Sequence, residues 1–226
     1  MSLREFSELL QGSDEWLAAR RGIVTASVVG QLITPKTIKP SANDTSRALT
    51  TLLVAERITG WTDPLYVSDD MMRGAMDEPV ARDLYSRHYA PAVEIGFMVR
   101  DDWGFRIGYS PDGLVGDDGL IEVKSRRAKA QLATILADDV PLGNMAQIQC
   151  GLLVSGREWC DYVSYCGGMP LWVKRATPDR RWFDAIRDAV AIFERAAEQM
   201  VADYQQAVAG LPSTERTNYD QEMRVS

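Results

Sequence analysis

The chain changes its hydrophobic period twice. In "EFSELLQGSDEWLAARRGIVTASVVGQLI" apolar residues recur at helical spacing, which predicts short helical pieces. Ser13 or Asp14 can cap one that carries Trp16 and Leu17. Thr25 or Ser27 can open another, with Val28, Val29, Leu32 and Ile33 on its apolar side. "TPKTIKPSANDTS" is a Pro- and Ser-rich loop, and "SRALTTLLVAERITG" a helix stopped by Gly60. "WTDPLYVSDDMMRGAM" follows neither period and reads as irregular. "DEPVARDLYSRHYA" is helical again, with Pro79 in its first turn and a stripe of Val80, Ala81, Leu84, Tyr85 and His88. The period then becomes two: "AVEIGFMVR", "WGFRIGYS", "LIEVKS", "WCDYVSYC" and "PLWVKRA" read as strands. "DDWG" and "CGGM" mark hairpins. Residues 126–155 read as helical, and "DRRWFDAIRDAVAIFERAAEQMVADYQQAVAG" as one long amphipathic helix. The order implies an α/β domain with a central mixed five-stranded sheet flanked by helices. It would occupy residues 1–210, with residues 211–226 as a flexible tail.

Composition narrows the setting. The 226 residues suit one domain. No apolar run reaches the roughly 18–20 residues of a membrane helix, and the N-terminus has no secretory pattern. Cys150, Cys160 and Cys166 form no CxxC pair and read as reduced cytosolic thiols. The net charge of −7 argues against a nucleic-acid binder. Its distribution weakens that argument. Basic residues gather at Arg20 and Arg21, at Lys36 and Lys39, at Lys124, Arg126, Arg127 and Lys129, and at Lys174, Arg175, Arg180 and Arg181. A chain acidic outside and basic in a cleft can still bind phosphates.

The candidate chemistry lies in "YSPDGLVGDDGLIEVKS". Strand alternation places Glu122 and Lys124 on one face, opening on a site, and Ile121 and Val123 on the other, in the core. A hairpin return through "GLVGDDG" would bring Asp112 beside Glu122. Two converging carboxylates repel unless a cation lies between them. An all-oxygen set favours a hard divalent ion, usually Mg²⁺. Lys124 is placed to orient a water or to stabilise developing negative charge, which together makes a device for metal-assisted attack on a phosphodiester. Each residue also has a plainer explanation. Asp112 suits a turn, Glu122 with Lys124 a solvated pair, Glu78 a helix start, and Gln147 an exposed helix position.

Taken together the motifs resemble one family. Asp112, then nine residues, then Glu122-Val123-Lys124 matches the PD-(D/E)xK nuclease pattern. "DEWLAARRGIVTAS", "RGAMDEPVARDLY", "GYSPDGLV", "GLIEVKS" and "NMAQIQCGLLVSG" follow in the order of the phage lambda exonuclease family, over roughly residues 13–200. That resemblance implies a restriction-endonuclease-like core. It also implies a Mg²⁺-dependent 5′-to-3′ exonuclease that degrades one strand of duplex DNA and leaves a 3′ single strand for phage recombination. The family implies a ring-shaped homotrimer, a single-strand annealing partner and work in the cytoplasm of a bacterial host. It assigns Asp112, Glu122, the Val123 carbonyl and Glu78 to the metal, two Mg²⁺ ions with Mn²⁺ as substitute, and Lys124 and Gln147 to the reacting water. Arg20, Ser27 and Ser110 would hold the 5′-phosphate of the duplex. Pro79, directly after Glu78, departs from the family pattern and would place Glu78 at a helix start. Apart from the resemblance, Met71 and Met72 in the acidic irregular stretch either cover an edge of the core or supply, through one of them such as Met71, an apolar wedge against the terminal base pair.

Overall fold

The structure is a computed structural model that describes residues 2–64 and 67–216. Its elements follow in chain order. They begin with β1 (Leu3–Phe6), α1 (Asp14–Arg20), β2 (Val24–Thr25) and α2 (Ala26–Val29). Next come β3 (Ile33–Thr34), β4 (Lys39–Pro40), α3 (Asp44–Thr59) and α4 (Asp69–His88). Five short or medium strands follow: β5 (Ala92–Val93), β6 (Phe97–Arg100), β7 (Ile107–Tyr109), β8 (Gly113–Val115) and β9 (Gly119–Ser125). The chain closes with α5 (Ala128–Ala137), α6 (Leu142–Ser155), β10 (Trp159–Tyr165), β11 (Trp172–Ala176) and α7 (Arg180–Ala207). Among the described residues no helix is long and apolar enough to cross a membrane.

The expected mixed five-stranded sheet is present, in the order β11-β10-β9-β8-β5. β10 runs parallel to β9, with Tyr162 beside Glu122, and β8 returns antiparallel to β9. Its membership differs from the expectation. β6 and β7 leave it for a second sheet, β1-β6-β7-β2. Leu3–Phe6, whose last two residues open the stretch expected to be helical, is an edge strand of that sheet paired with Phe97–Arg100. Four residues with a single buried neighbour face carry too little pattern to separate helix from strand.

α4 is the second correction. It starts at Asp69, capped by Ser68, so Met71 and Met72 lie in a helix and not in an irregular loop. Glu78 is therefore well inside the helix, and Pro79 is interior rather than in the first turn. The hydrophobic pattern misleads here because the first half of α4 is inverted. Met72, Met76 and Val80, at helical spacing, are exposed, while Arg73, Asp77 and Arg82 turn inward to polar partners.

Two apolar clusters flank the five-stranded sheet. The larger joins α2, α3, α6 and α7 around Leu120, Tyr162, Ile148, Ile186 and Phe193. The smaller lies under α4: Ala81 and Tyr85 pack on Ile121, Val123 and Val163. The alternation expected along β9 is thus present, but its second face is not open throughout. Leu120, on the face of Glu122, is wholly buried in the larger cluster. Tyr85 Oη donates to Asp161 Oδ2 at 2.7 Å, and Arg175 grips the same carboxylate with two donors, which pins α4 to β10. Beyond α7, residues 211–216 have no regular structure and Arg216 lies over the Trp61 ring. The rest of the expected tail, residues 217–226, falls outside the described residues.

Candidate active site

The site forms where the β8–β9 hairpin, α4 and α6 meet. Pairing of Gly113 with Ile121 brings Asp112 to β9, where its Oδ2 accepts the Val123 N–H at 2.6 Å. Glu122 is 0% exposed. Its Oε1 accepts from Lys124 Nζ at 2.6 Å and from Gln147 Nε2 at 2.5 Å, while its buried Oε2 has no partner among the described residues. Gln147 reaches it from α6, whose close approach to β7 requires Gly151: a Cβ there would lie 2.7 Å from the Tyr109 ring. Glu78 comes in from α4. Arg82, one turn on, donates to Glu78 Oε1 at 3.0 Å, to the Asp112 carbonyl at 2.5 Å and to Glu94 at 2.8 Å. Asp112, Glu122, Lys124 and Gln147 are thus joined through β9, and Glu78 is tied to Asp112 through Arg82.

The electrostatics are those of a carboxylate cluster. Loss of hydration, and after it the Glu122 charge, push the Asp112 carboxyl well above the usual carboxylate range. Burial also raises the Glu78 carboxyl, against the opposing pull of Arg82. Burial by itself would lower Lys124, but Glu122 and Asp112 outweigh it and hold the ammonium above its ordinary value. The bare Glu122 Oε2 and the all-oxygen donor set fit a hard divalent cation held by Asp112, Glu122, Glu78 and the Val123 carbonyl. As arranged, among the described residues no three acidic, His or Cys side chains form a ready metal cluster. Lys124, the Val123 amide and Arg82 occupy the inner carboxylate oxygens instead.

A second polar group adjoins the first. Arg20 Nη2 donates to Thr25 Oγ1 and Ser27 Oγ, each at 3.2 Å, and its guanidinium stacks 4.0 Å over the Trp16 ring. Trp16 Nε1 donates to Ser110 Oγ at 2.9 Å. Arg20, Ser27 and Ser110 therefore form one connected group, with Trp16 and Thr25 as links that the motif reading left out. The signal was in the sequence: Trp16 and Arg20 stand four apart on α1 and share a face. Arg82 was missed likewise, although it stands four residues after Glu78 on α4. Burial lowers the Arg20 pKa, with Glu56 partly opposing. The turn between α1 and β2 is fixed from α3. Glu56 accepts the Gly22 N–H at 2.7 Å, and Arg57 donates to the Gly22 carbonyl at 2.7 Å. Gly22 has φ +64°, and a Cβ on it would meet Arg57 Cγ at 2.5 Å.

Residues 15–158, more than half of the chain, match the YqaJ-like viral recombinase domain. The chain belongs to the YqaJ-like viral recombinase family. The solved structures agree with this membership. An alkaline exonuclease, LHK-Exo, from Laribacter hongkongensis superposes with a TM-score of 0.78 at 30% identity, over 88% of this chain and 100% of that one. The same enzyme solved in complex with dAMP gives the same values. A phage related exonuclease from Haemophilus somnus 129PT shares the fold, with a TM-score of 0.60 at 14% identity over 80% of this chain and 96% of that one. No curated protein matches the sequence at a significant level. The YqaJ-like match spans all of the candidate residues from Trp16 to Gln147, so both polar groups lie inside the family domain.

Proposed function

We propose that this protein is a metal-dependent DNA exonuclease that degrades one strand of linear duplex from its 5′ end and exposes a 3′ single strand for recombination. The observation that carries the reading is the pairing of two polar groups. The carboxylate–lysine cluster at β9 stands two residues along the chain from Ser110, which closes the Arg20 group. A terminal phosphate held by Arg20, Ser27 and Ser110 would present the next phosphodiester to Asp112, Glu122 and Lys124. Glu78, Asp112, Glu122 and the Val123 carbonyl would hold Mg²⁺, as two ions per site with Mn²⁺ able to replace them. When bound, the metal supplies charge neutralisation at the phosphate and lowers the pKa of water. Lys124 and Gln147, both donors to Glu122, orient the water for in-line attack. Arg82 keeps Glu78 and the Asp112 backbone in place. Met71, half-exposed in the first turn of α4, suits an apolar wedge at the duplex end. The family relation supports assembly as a homotrimer and action beside a single-strand annealing protein in the host cytoplasm.

Digestion of linear, circular, 5′-phosphorylated and 5′-hydroxyl duplexes, with Mg²⁺ or with chelator, tests this. Linear 5′-phosphorylated DNA is expected to be digested fastest, and only with metal. Cleavage of the closed circle would instead indicate an endonuclease.

A further inference from the structure

The basic run after β9 contains an arginine that the site above does not use. Arg126 follows β9 directly, and its backbone amide donates to the Tyr165 carbonyl at 2.7 Å, which fixes its position at the end of β10. Its Nη2 donates to Asn144 Oδ1 at 2.7 Å and to the Tyr162 hydroxyl. Tyr162 in turn donates to Asn144 at 3.3 Å and packs edge-on against Trp172. Both acceptors are neutral. Arg57 and Arg82 are neutralised, by Glu194 and by Glu78 with Glu94, whereas Arg20, in the proposed phosphate group, donates like Arg126 to neutral acceptors. Among the described residues no carboxylate pairs with Arg126, and its buried Nε has no acceptor at all. A buried, unsatisfied donor on an uncompensated cation is costly unless a ligand supplies both acceptor and charge.

Its location says what that ligand is. Tyr162 lies beside Glu122 in the β9–β10 register, and Asn144 stands one turn before Gln147 on α6. The Arg126 group therefore borders the Glu122–Lys124 centre from the β10 side. Ser110 and the Arg20 group border it from the β8 side, since β9 has β8 on one flank and β10 on the other. Arg126 is two residues beyond Lys124, about 6.6 Å along a strand.

We infer that Arg126, positioned by Asn144 and Tyr162, is a second phosphate-binding residue that grips the phosphodiester next beyond the one being cut. This rests on the exonuclease reading, in which the terminal phosphate occupies the Arg20 group and the scissile one faces Lys124. Three consecutive phosphates of the degraded strand then cross β9 from the β8 side to the β10 side. Arg126 holds the strand that remains, so the substrate stays in register after each cut.

The test uses a 5′-phosphorylated duplex with one uncharged methylphosphonate at the linkage just 3′ of the first scissile bond, in single-turnover digestion with Mg²⁺. Wild type is expected to cut the modified duplex at least tenfold more slowly than the natural one. Arg126→Ala should cut the natural duplex more slowly by a similar factor and show no further loss on the modified one. Arg126→Lys, which keeps the charge, should retain part of the discrimination and guards against a folding defect. An equal methylphosphonate penalty in wild type and Arg126→Ala would overturn the assignment. A wild type that leaves the natural duplex intact would overturn the exonuclease reading itself, a separate and distinguishable result.

Discussion

Lys124→Met isolates the energetics of the buried acid. Glu122 is 0% exposed, and Lys124 Nζ lies 2.6 Å from its Oε1. With the ammonium gone, Gln147 is the sole remaining donor to that carboxylate among the described residues, because Oε2 has none there. Stranding one member of a buried pair costs about 3–5 kcal/mol. The Lys124 side chain is 26% exposed, so water reaches this end and the lower figure applies, about 3 kcal/mol. For a chain of this size that lowers Tm by about 6–12 °C. The assay is thermal or urea unfolding in chelator, run as a double-mutant cycle with Glu122→Gln. The amide removes the charge that Lys124 served. The double variant should therefore be more stable than Lys124→Met alone, by about 2 kcal/mol, although both are inactive. If the two substitutions simply add, the pair does not carry the energy assigned to it, and the packing of the Lys124 stem would explain the loss.

Three further outcomes follow from the same geometry. Asp112→Asn should abolish digestion, yet metal-free it should be more stable than wild type at pH 8, by about 1–2 kcal/mol. The Asp112 pKa is raised in the fold, so wild-type stability is full below the unfolded carboxylate pKa and declines as pH rises through the raised value. The advantage of the variant should vanish in acid, and Mg²⁺ should reverse the order at pH 8; an advantage independent of pH would refute the charge argument. Trp16→Phe removes the N–H to Ser110 and should cut the preference for 5′-phosphate over 5′-hydroxyl ends about tenfold, as a lost hydrogen bond of about 1.5 kcal/mol would. Unchanged selectivity would detach Trp16 from the phosphate group. Tyr85→Phe should lower Tm by about 3–6 °C through its lost bond to Asp161, with digestion retained; an unaltered Tm would mean that apolar packing of Ala81 and the Tyr85 ring, not this hydrogen bond, holds α4.

The strands and their chemistry were legible because β9 obeys simple alternation and because Asp112, Glu122 and Lys124 keep a recognisable spacing. Two helix ends were legible where a side chain or glycine satisfies the backbone: Ser13 caps α1, and Gly60 closes α3 in the left-handed conformation. What escaped were features set by contacts distant in sequence. α4 was truncated because its inward face is charged. Arg73 and Asp77 turn to Ser125, so in the first half of the helix apolar periodicity marks the wrong side, while Ala81 and Tyr85 further on do face the core. β1 exists only because β6 lies beside it. The division into two sheets depends on how the chain turns between Tyr109 and Gly113, which no local pattern reports. The residues of the motif lie together, as their spacing leads one to expect. Arg82, Trp16 and Thr25, which hold the motif in place, lie outside that spacing.

The short run from Ser110 to Asp112 also acts as a ruler. Ser110 is tied through Trp16 to Arg20, and Asp112 is tied to the β9 backbone, so both ends of a two-residue span are clamped. Such a span extends at most about 7 Å. On the proposed reading, the bite of the enzyme is written into the backbone: the distance from the seated terminus to the cutting point cannot stretch to a second nucleotide. Each cut should release a single nucleotide, whatever the base sequence.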